Sequence, residues 1–117
     1  MTRGEPFTLI NLDIDRFSNL RNSFGHLFAD ELLLGLVRKL QQSLGEREHL
    51  VRVGQQAFAL VVPGVTDPRE IERRVDALAH LIRTVLTRSG AAVFLSASVG
   101  IVTTRSEEHT SELQSRL

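Results

Sequence analysis

Few residues of this chain combine a type and a position suited to chemistry. His26 follows Gly25 and is a candidate general base, although a histidine at such a place can also hold a loop by hydrogen bonds. Gly54, Gln55 and Gln56 form the polar centre of the segment "RVGQQAFAL", which lies between two apolar runs. A bend of this kind favours Gly, Asn or Asp, because these residues take a left-handed backbone at little cost. The two glutamines therefore indicate either a polar hairpin tip or the altered remains of a chemical site.

Three carboxylates stand at positions where the local pattern also permits a structural role. Asp13 ends the strand-like run "FTLINLD" and could cap the turn that follows it. Asp15 precedes "RFSNLRNSF" and is predicted to be the N-cap of a short helix. Asp30 lies early in a longer helical pattern, where the helix dipole favours an acid. Taken alone, these positions leave a structural and a functional interpretation open.

The composition excludes several classes of protein. The 117 residues suffice for one small domain, and 42% hydrophobic with 24% charged residues is typical of a globular chain. Because there are no cysteines, disulfides and thiolate metal sites are excluded. The formal charge is zero without blocks of like charge, so no nucleic-acid partner and no direct membrane contact are expected. No signal peptide or membrane span is recognisable, and a cytoplasmic location is expected.

The elements that must position the candidate residues are four strands and three helices. Their order, β-α-α-β-β-α-β, predicts an α+β fold: a two-layer sandwich in which a mostly antiparallel sheet carries its helices on one face. The strands are predicted at "FTLINLD", "HLVRV", "AFALVV" and "AAVFLSASVGIVTT". The helices are predicted at "RFSNLRNSF", at residues 27–44 before Gly45, and from an Asp67 N-cap through Val85 to a break at Ser89-Gly90.

The C-terminal segment differs from the rest of the chain. Residues Arg105 to Ser115, "RSEEHTSELQS", resemble the in-frame translation of a common DNA-sequencing adapter, and the alternative is a polar tail. We therefore expect a domain over residues 7–104, cut short at both ends, and a non-native tail over residues 105–117.

A longer pattern identifies the family. The segment "NLDIDRFSNLRNSFGHLFADELL" resembles the signature LDIDxFKxINDxxGHxxGDxxL of GGDEF domains, the diguanylate cyclase family. The second signature, RxGGDEF, matches Arg52, Gly54 and Phe58, and "SASVGIV" is similar to the family's SxGIA strand. The resemblance covers residues 7–103 and implies a nucleotidyl-cyclase palm, related to ferredoxin-like folds. It also implies an activity: two GTP molecules joined into cyclic di-GMP by a pair of domains that use Mg²⁺.

The resemblance assigns metal ligands that this chain retains only in part. Asp13 matches the family's first metal-binding carboxylate, and Ile14 would add its backbone carbonyl. The third letter of GGDEF, which supplies a second carboxylate, is Gln56, and the acidic fourth letter is Ala57. Mg²⁺ prefers charged oxygen ligands, so binding of Mg²⁺ by this chain is expected to be weak.

The nucleotide-binding positions are altered as well. Asp30 matches the acid that contacts the guanine edge, but the asparagine that accompanies it in the family is replaced by Arg21. Gly54 is retained, whereas Gln55 replaces the second glycine and would cost about 1 kcal/mol if its φ were positive. These residues are expected to be a vestigial GTP site. The family's inhibitory RxxD site falls on Gly45 and Glu48, so product feedback is not expected.

The leading hypothesis is a degenerate, catalytically inactive GGDEF domain of a bacterial cyclic di-GMP signalling protein. It would serve regulation through GTP binding or dimerisation, next to a sensory or EAL phosphodiesterase domain. The alternatives are an active diguanylate cyclase that obtains its missing carboxylate elsewhere, and a truncated fragment without function.

Overall fold

A five-stranded antiparallel sheet and a separate two-stranded ribbon form the framework of the protein. The computed structural model describes residues 4–87, 90–104 and 110–116. The elements follow in the order β1 (Phe7–Ile14), α1 (Phe17–Phe24), α2 (His26–Gln42), β2 (His49–Arg52), β3 (Ala57–Pro63), α3 (Pro68–Ile82), β4 (Thr84–Leu86), β5 (Ala92–Phe94), β6 (Ala97–Thr104) and β7 (Thr110–Arg116).

Strand β1 lies at the centre of the larger sheet, whose strand order is β2-β3-β1-β6-β7. It pairs antiparallel with β3 from Phe7 opposite Pro63 to Asp13 opposite Ala57. On its other side it pairs antiparallel with β6, from Phe7 opposite Thr104 to Ile14 opposite Ala97. The predicted α+β fold with a mostly antiparallel sheet is confirmed.

The core lies between one face of this sheet and the helices. On β1, the alternate residues Ile10, Leu12 and Ile14 are each about 1% exposed, while Asn11 and Asp13 between them are exposed. This period of two follows from the strand geometry. Helices α2 and α3 meet that face with residues three or four positions apart, as their sequence pattern predicts. Helix α2 contributes Leu32, Leu36 and Leu40 to the core. Helix α3 contributes Ile71, Val75, Leu78 and Ile82.

Helix α3 begins as predicted but ends earlier. The Asp67 side chain accepts a hydrogen bond of 3.0 Å from the backbone N–H of Arg69, and Pro68 occupies the first turn, which confirms the N-cap. The prediction that Val85 belongs to this helix is wrong: Val85 lies in β4 and pairs with Val93 of β5. The β-branched pair Thr84-Val85 is well suited to the strand, and the buried Val85 side chain still reaches the core. Ser89, the predicted helix break, lies outside the described residues.

The long C-terminal strand of the prediction is divided in two. Strand β5 ends at Phe94 and β6 begins at Ala97, and the two belong to different sheets. Between them, the Leu95 N–H donates to the Arg83 carbonyl at 2.9 Å, and the Ser96 carbonyl accepts from the Asp15 N–H at 2.9 Å. Leu95 and Ser96 are therefore bonded to different parts of the chain, Arg83 and Asp15, and a continuous strand is not formed.

The start of α1 also differs from its prediction. Asp15 is not the N-cap: the cap residue is Arg16, which has a left-handed backbone with φ of 57° and makes no side-chain capping bond. The Asp15 carboxylate instead accepts hydrogen bonds from the hydroxyl groups of Ser98, which lies on β6, and of Ser96, the residue before β6. Gly25, with φ of 92°, ends α1 as predicted and directly precedes α2. Helix α2 ends at Gln42 with Ser43 as its C-cap, two residues before Gly45.

The segment after residue 109 contributes an edge strand. Strand β7 pairs antiparallel with β6 from Ser98 opposite Arg116 to Thr104 opposite Thr110. Strand pairing uses backbone groups, which every residue except proline can supply, so it requires no apolar pattern. The domain boundary at residue 104 and the non-native origin of residues 105–117 stay predictions.

Candidate functional site

The predicted metal ligands meet where β1 ends beside the β2–β3 hairpin. Asp13 lies opposite Ala57 of β3 and opposite Ser98 of β6, and it is exposed. The next residue, Ile14, donates its backbone N–H to the Gln56 carbonyl at 2.9 Å. The structure therefore brings Asp13, Ile14 and Gln56 together, as the resemblance implies.

The hairpin tip is held by backbone bonds and by one arginine. The Val53 and Gly54 N–H groups both donate to the Ala57 carbonyl, at 2.8 and 3.2 Å. Arg52 donates from Nε to the Gly54 carbonyl at 3.0 Å and from Nη2 to the Gln55 carbonyl at 2.5 Å. Its side chain thus fixes the direction of the bend, which explains how a tip with one glycine remains ordered.

Neither Gly54 nor Gln55 has a left-handed backbone. Among the described residues other than glycine, only Arg16 has a positive φ, so the strain considered for Gln55 does not arise. At Gly54 the constraint is space, because a Cβ would lie 3.3 Å from the Ala57 Cβ. A side chain at position 54 would therefore need a shift of Ala57 by a few tenths of an ångström, whereas position 55 accepts a side chain.

The Gln55 side chain is used in a contact that the sequence did not reveal. Its Oε1 accepts a hydrogen bond of 2.9 Å from Nη1 of Arg21, a residue of α1. Arg21 also donates from Nη2 to the Ser18 hydroxyl at 3.4 Å, and its guanidinium carbon lies 5.9 Å from the centre of the Phe17 ring. Two residues that depart from the family pattern therefore join α1 to the hairpin.

Asp30 lies at a small cavity between α2 and the hairpin. The cavity has a volume of about 230 Å³ and is lined by Asp30, Leu33, Leu34, Val37 and Arg52. Small-molecule sites have volumes of about 300–1,000 Å³, so this space is smaller than a typical ligand site. One carboxylate and one guanidinium at an otherwise apolar cavity are groups that could orient a polar ring.

Asp15 has a structural role, but this role is not the N-cap that the sequence predicts. Its Oδ2 accepts from the Ser96 hydroxyl at 2.8 Å and its Oδ1 from the Ser98 hydroxyl at 2.9 Å. Hydrogen bonds to a carboxylate are among the stronger ones in proteins. Asp15 therefore fastens the connection between β1 and α1 to β6, next to the exposed Asp13.

The donor groups at the hairpin do not fit the Mg²⁺ site that the resemblance implies. Gln56 offers a neutral amide oxygen, and Ala57, directly opposite Asp13, offers no side-chain oxygen at all. Over residues 4–87, 90–104 and 110–116, no group of three or more His, Cys, Asp or Glu side chains is arranged to hold a metal ion. The hairpin thus offers Asp13 no second carboxylate, where a hard, divalent cation requires several oxygen ligands.

Glu48, which lies in the place of the family's inhibitory motif, is engaged in an ion pair. Its Oε1 accepts from Arg74 Nη2 at 2.7 Å and from the Gly45 N–H at 2.9 Å, and its Oε2 accepts from Arg74 Nε at 3.2 Å. Burial alone would raise the pKa of Glu48, but the bonds from Arg74 and Gly45 and the charge of Arg74 together hold that pKa below its ordinary value. This carboxylate joins the end of α2 to α3.

The architecture and the position of the site define the class of protein. A β1 strand between β3 and β6, with a carboxylate at its end beside the β2–β3 hairpin, is the palm of nucleotidyl cyclases. The family model "Diguanylate cyclase, GGDEF domain" matches residues 1–116, and the chain belongs to the GGDEF family. No helix of the described residues is both long enough and apolar enough to cross a membrane.

Individual relatives agree with this assignment. The chain is 31% identical over 102 residues to the diguanylate cyclase VdcA of Vibrio cholerae, an alignment that covers 85% of this chain and 30% of VdcA. The crystal structure of the diguanylate cyclase SiaD of Pseudomonas aeruginosa with its activator SiaC is similar with a TM-score of 0.78 and 26% identity. That match covers 90% of this chain and 40% of SiaD.

The GGDEF domain of DgcB from Caulobacter crescentus, solved with cyclic di-GMP, has the same fold, with a TM-score of 0.77 at 18% identity. The match covers 90% of this chain and 63% of that chain. The chain spans about a third or less of the length of the curated relatives that it matches.

Proposed function

We propose that this domain is a catalytically inactive, regulatory GGDEF domain of a bacterial cyclic di-GMP signalling protein. The observation that carries the proposal is the neighbourhood of Asp13, which has Ala57 opposite it on β3 and the neutral Gln56 beside it. Joining two nucleotides is phosphoryl-group transfer, and metal-dependent enzymes of this kind neutralise the developing charge with cations held by carboxylates. A single carboxylate supports neither the affinity for Mg²⁺ nor the stabilisation of the transition state.

Regulation through a bound nucleotide is the first form that this role takes. The parts of the site that do not depend on a metal ion support it: Asp30 at its cavity, and Gly54 with its close approach to Ala57. GTP held there would act as an allosteric ligand, because its binding would stabilise one arrangement of α1, α2 and the hairpin.

Regulation through dimerisation is the second form. Other GGDEF proteins act together with further chains or domains; SiaD, for example, was crystallised with its activator. For this chain we propose a second GGDEF domain or an adjoining sensory or EAL domain as the partner. We also propose a cytoplasmic location and a GGDEF unit over residues 7–104, with residues 105–117 as a non-native tail.

The decisive experiment is to incubate the complete protein with GTP and Mg²⁺ and to measure cyclic di-GMP by chromatography. We expect no product above that of the Asp13→Asn variant, which serves as the matched control. Turnover that is clear in the unaltered protein and lost in Asp13→Asn would show that the site is catalytic, and the proposal would then be wrong.

A further inference from the structure

One face of helix α2 exposes large apolar side chains to solvent. Leu27 is 88% exposed and Leu34 is 46% exposed, although the opposite face of α2 is buried in the core. Glu31 and Arg38 lie on the same face, because residues three or four positions apart are neighbours on a helix. Leu27, Glu31, Leu34 and Arg38 form the outer stripe of α2, in which apolar and charged side chains alternate.

A groove lies beside the outer stripe. It has a volume of about 550 Å³ and is lined by residues of α2 and by Thr87, which follows β4. One of the lining residues is Gly35. Glycine in the interior of a helix is less favourable than alanine, but it has no side chain that would keep a neighbouring helix away. The groove at Gly35 therefore has room for a large apolar side chain from another molecule.

The charges of the outer stripe make it complementary to itself. Glu31 is three positions before Leu34, and Arg38 is four positions after it. When two α2 helices pack antiparallel about a two-fold axis near Leu34, Glu31 of each copy lies beside Arg38 of the other. A parallel arrangement would place like charges beside each other, which is unfavourable at an interface. The stripe thus favours an antiparallel pair of identical helices.

Both charged groups are able to form these contacts. Arg38 is exposed, and within the described residues its side chain makes no hydrogen bond or ion pair. Glu31 has an interaction within the chain, but a carboxylate accepts several hydrogen bonds and keeps acceptor positions for a guanidinium. The formal net charge of the chain is zero, so long-range repulsion does not oppose the approach of two copies.

We propose that the outer stripe of α2 is a homodimer interface, in which two copies of this chain pack their α2 helices antiparallel and Leu34 of each copy enters the groove at Gly35 of the other. This inference rests on the second form of the proposed function, dimerisation, and it names the surface and the partner. A two-fold axis requires that opposite charges lie on either side of its centre, as Glu31 and Arg38 do, whereas an unrelated domain does not. One pair of helices is a small interface beside the standard area of about 800 Å² per partner, so the dimer is expected to be weak.

The experiment is sedimentation velocity of the full chain at concentrations from about 10 μM to about 1 mM, a range in which weak dimers are populated. We expect the monomer to convert to a dimer as the concentration rises. Arg38→Glu places like charges at both contacts and should weaken dimerisation at least about tenfold. Leu34→Ala, which retains a good helix former, should also weaken it. Arg73→Glu, at an exposed position of α3, changes the net charge equally and is the matched control, which should leave dimerisation unchanged.

A mixture of two variants tests the antiparallel arrangement directly. Glu31→Arg, like Arg38→Glu, places like charges beside each other in its own homodimer. In an equimolar mixture of the two variants both contacts join opposite charges, so a heterodimer should form with the affinity of the unaltered protein within about threefold. The double variant Glu31→Arg/Arg38→Glu should dimerise by itself for the same reason. These recoveries test the proposal even if a single substitution lowers the melting temperature.

Four outcomes would overturn the inference without deciding the proposed function. A chain that is monomeric at every concentration forms no such dimer, and a dimer that is insensitive to Arg38→Glu and Leu34→Ala uses another surface. A mixture that fails to recover dimerisation excludes the antiparallel arrangement. Binding of an adjoining sensory or EAL domain to this face, with the chain alone monomeric, would give the stripe a different partner. Formation of cyclic di-GMP, by contrast, would disprove the proposed function and leave the dimer unaffected.

Discussion

Asp13 and Ala57 lie directly opposite each other in the antiparallel ladder of β1 and β3. The Cβ atoms of opposite residues in such a ladder are about 4.5–5.5 Å apart, so the side chain at position 57 is the nearest neighbour that β3 offers to Asp13. That neighbour is a methyl group. Position 57 therefore gives Asp13 no second carboxylate.

The first prediction follows from this pairing. The double variant Gln56→Asp/Ala57→Glu should raise the affinity for Mg²⁺ about tenfold or more, because the affinity of oxygen sites increases with the number of charged ligands. Calorimetric titration with MgCl₂ measures the change. The same variant with Asp13→Asn should lose the gain; if the gain persists without Asp13, the new acids bind Mg²⁺ on their own and the proposed arrangement is wrong.

The second prediction concerns pH and the ion pair between Glu48 and Arg74. The two side chains are 15% and 20% exposed, so solvent screens them little. Because the pKa of Glu48 in the folded protein is below its ordinary value, its ionised form stabilises the fold. This stabilisation is fully present above the pKa of the unfolded chain and is lost as the pH falls through the lower pKa of the folded protein.

Denaturant unfolding at a series of pH values tests this linkage. Glu48→Gln should lower the free energy of unfolding by about 1–3 kcal/mol at pH 7, because Arg74 loses its charged partner. The difference between the variant and the unaltered protein should shrink in acid. Glu46→Gln, at an exposed position of the same loop, is the control. A difference that is independent of pH would show that the charge of Glu48 does not contribute.

The third prediction concerns Asp15 and its two hydroxyl partners. Ser98→Ala removes one hydrogen bond to the Asp15 carboxylate and should lower the free energy of unfolding by about 0.5–1.5 kcal/mol. In the Asp15→Ala background the same substitution should cost much less, because the acceptor is absent. Chemical denaturation of the four proteins gives this double-mutant cycle. If the two effects simply add, the hydrogen bond contributes nothing measurable.

The fourth prediction concerns the start of α3. Asp67→Ala removes the acceptor for the Arg69 N–H and should lower the free energy of unfolding by about 1 kcal/mol. Asp67→Ser supplies another capping oxygen and should restore most of the loss. Thermal unfolding followed by circular dichroism compares the three proteins, and equal melting temperatures would contradict the role of the cap.

Most of the fold could be predicted because local signals agree with the tertiary structure. The alternation in β1, the leucines of α2 and the Asp67-Pro68 start of α3 each determine an element by short-range physics. The sequence pattern places Val85 in the helix because apolar residues at helical spacing continue past Ile82, and only pairing with Val93 distinguishes the strand. The sequence pattern predicts Asp15 as an N-cap, but capping competes with two hydroxyl groups that lie more than 80 positions away in sequence.

The candidate site was predictable only where the signature residues remain. Asp13, Ile14 and Gln56 meet because β1 and β3 pair in a register that places Asp13 opposite Ala57 and the Ile14 N–H on the Gln56 carbonyl. Arg21 and Gln55, which form a hydrogen bond, are 34 positions apart. In the sequence, each of them is seen only as a departure from the family pattern. Their contact depends on the distance between a helix and a hairpin tip, which no local pattern contains.

The central position of β1 has a consequence for engineering. Its end is fixed on both sides, by the Ile14 N–H on the Gln56 carbonyl and by the Asp15 N–H on the Ser96 carbonyl. Sites built on strands hold their side chains more precisely than sites on loops, and the hairpin tip is attached directly to this fixed strand end. Positions 55 to 57 are therefore suited to a combinatorial library, in which a selection for nucleotide or metal binding would sample new chemistry on an unchanged scaffold.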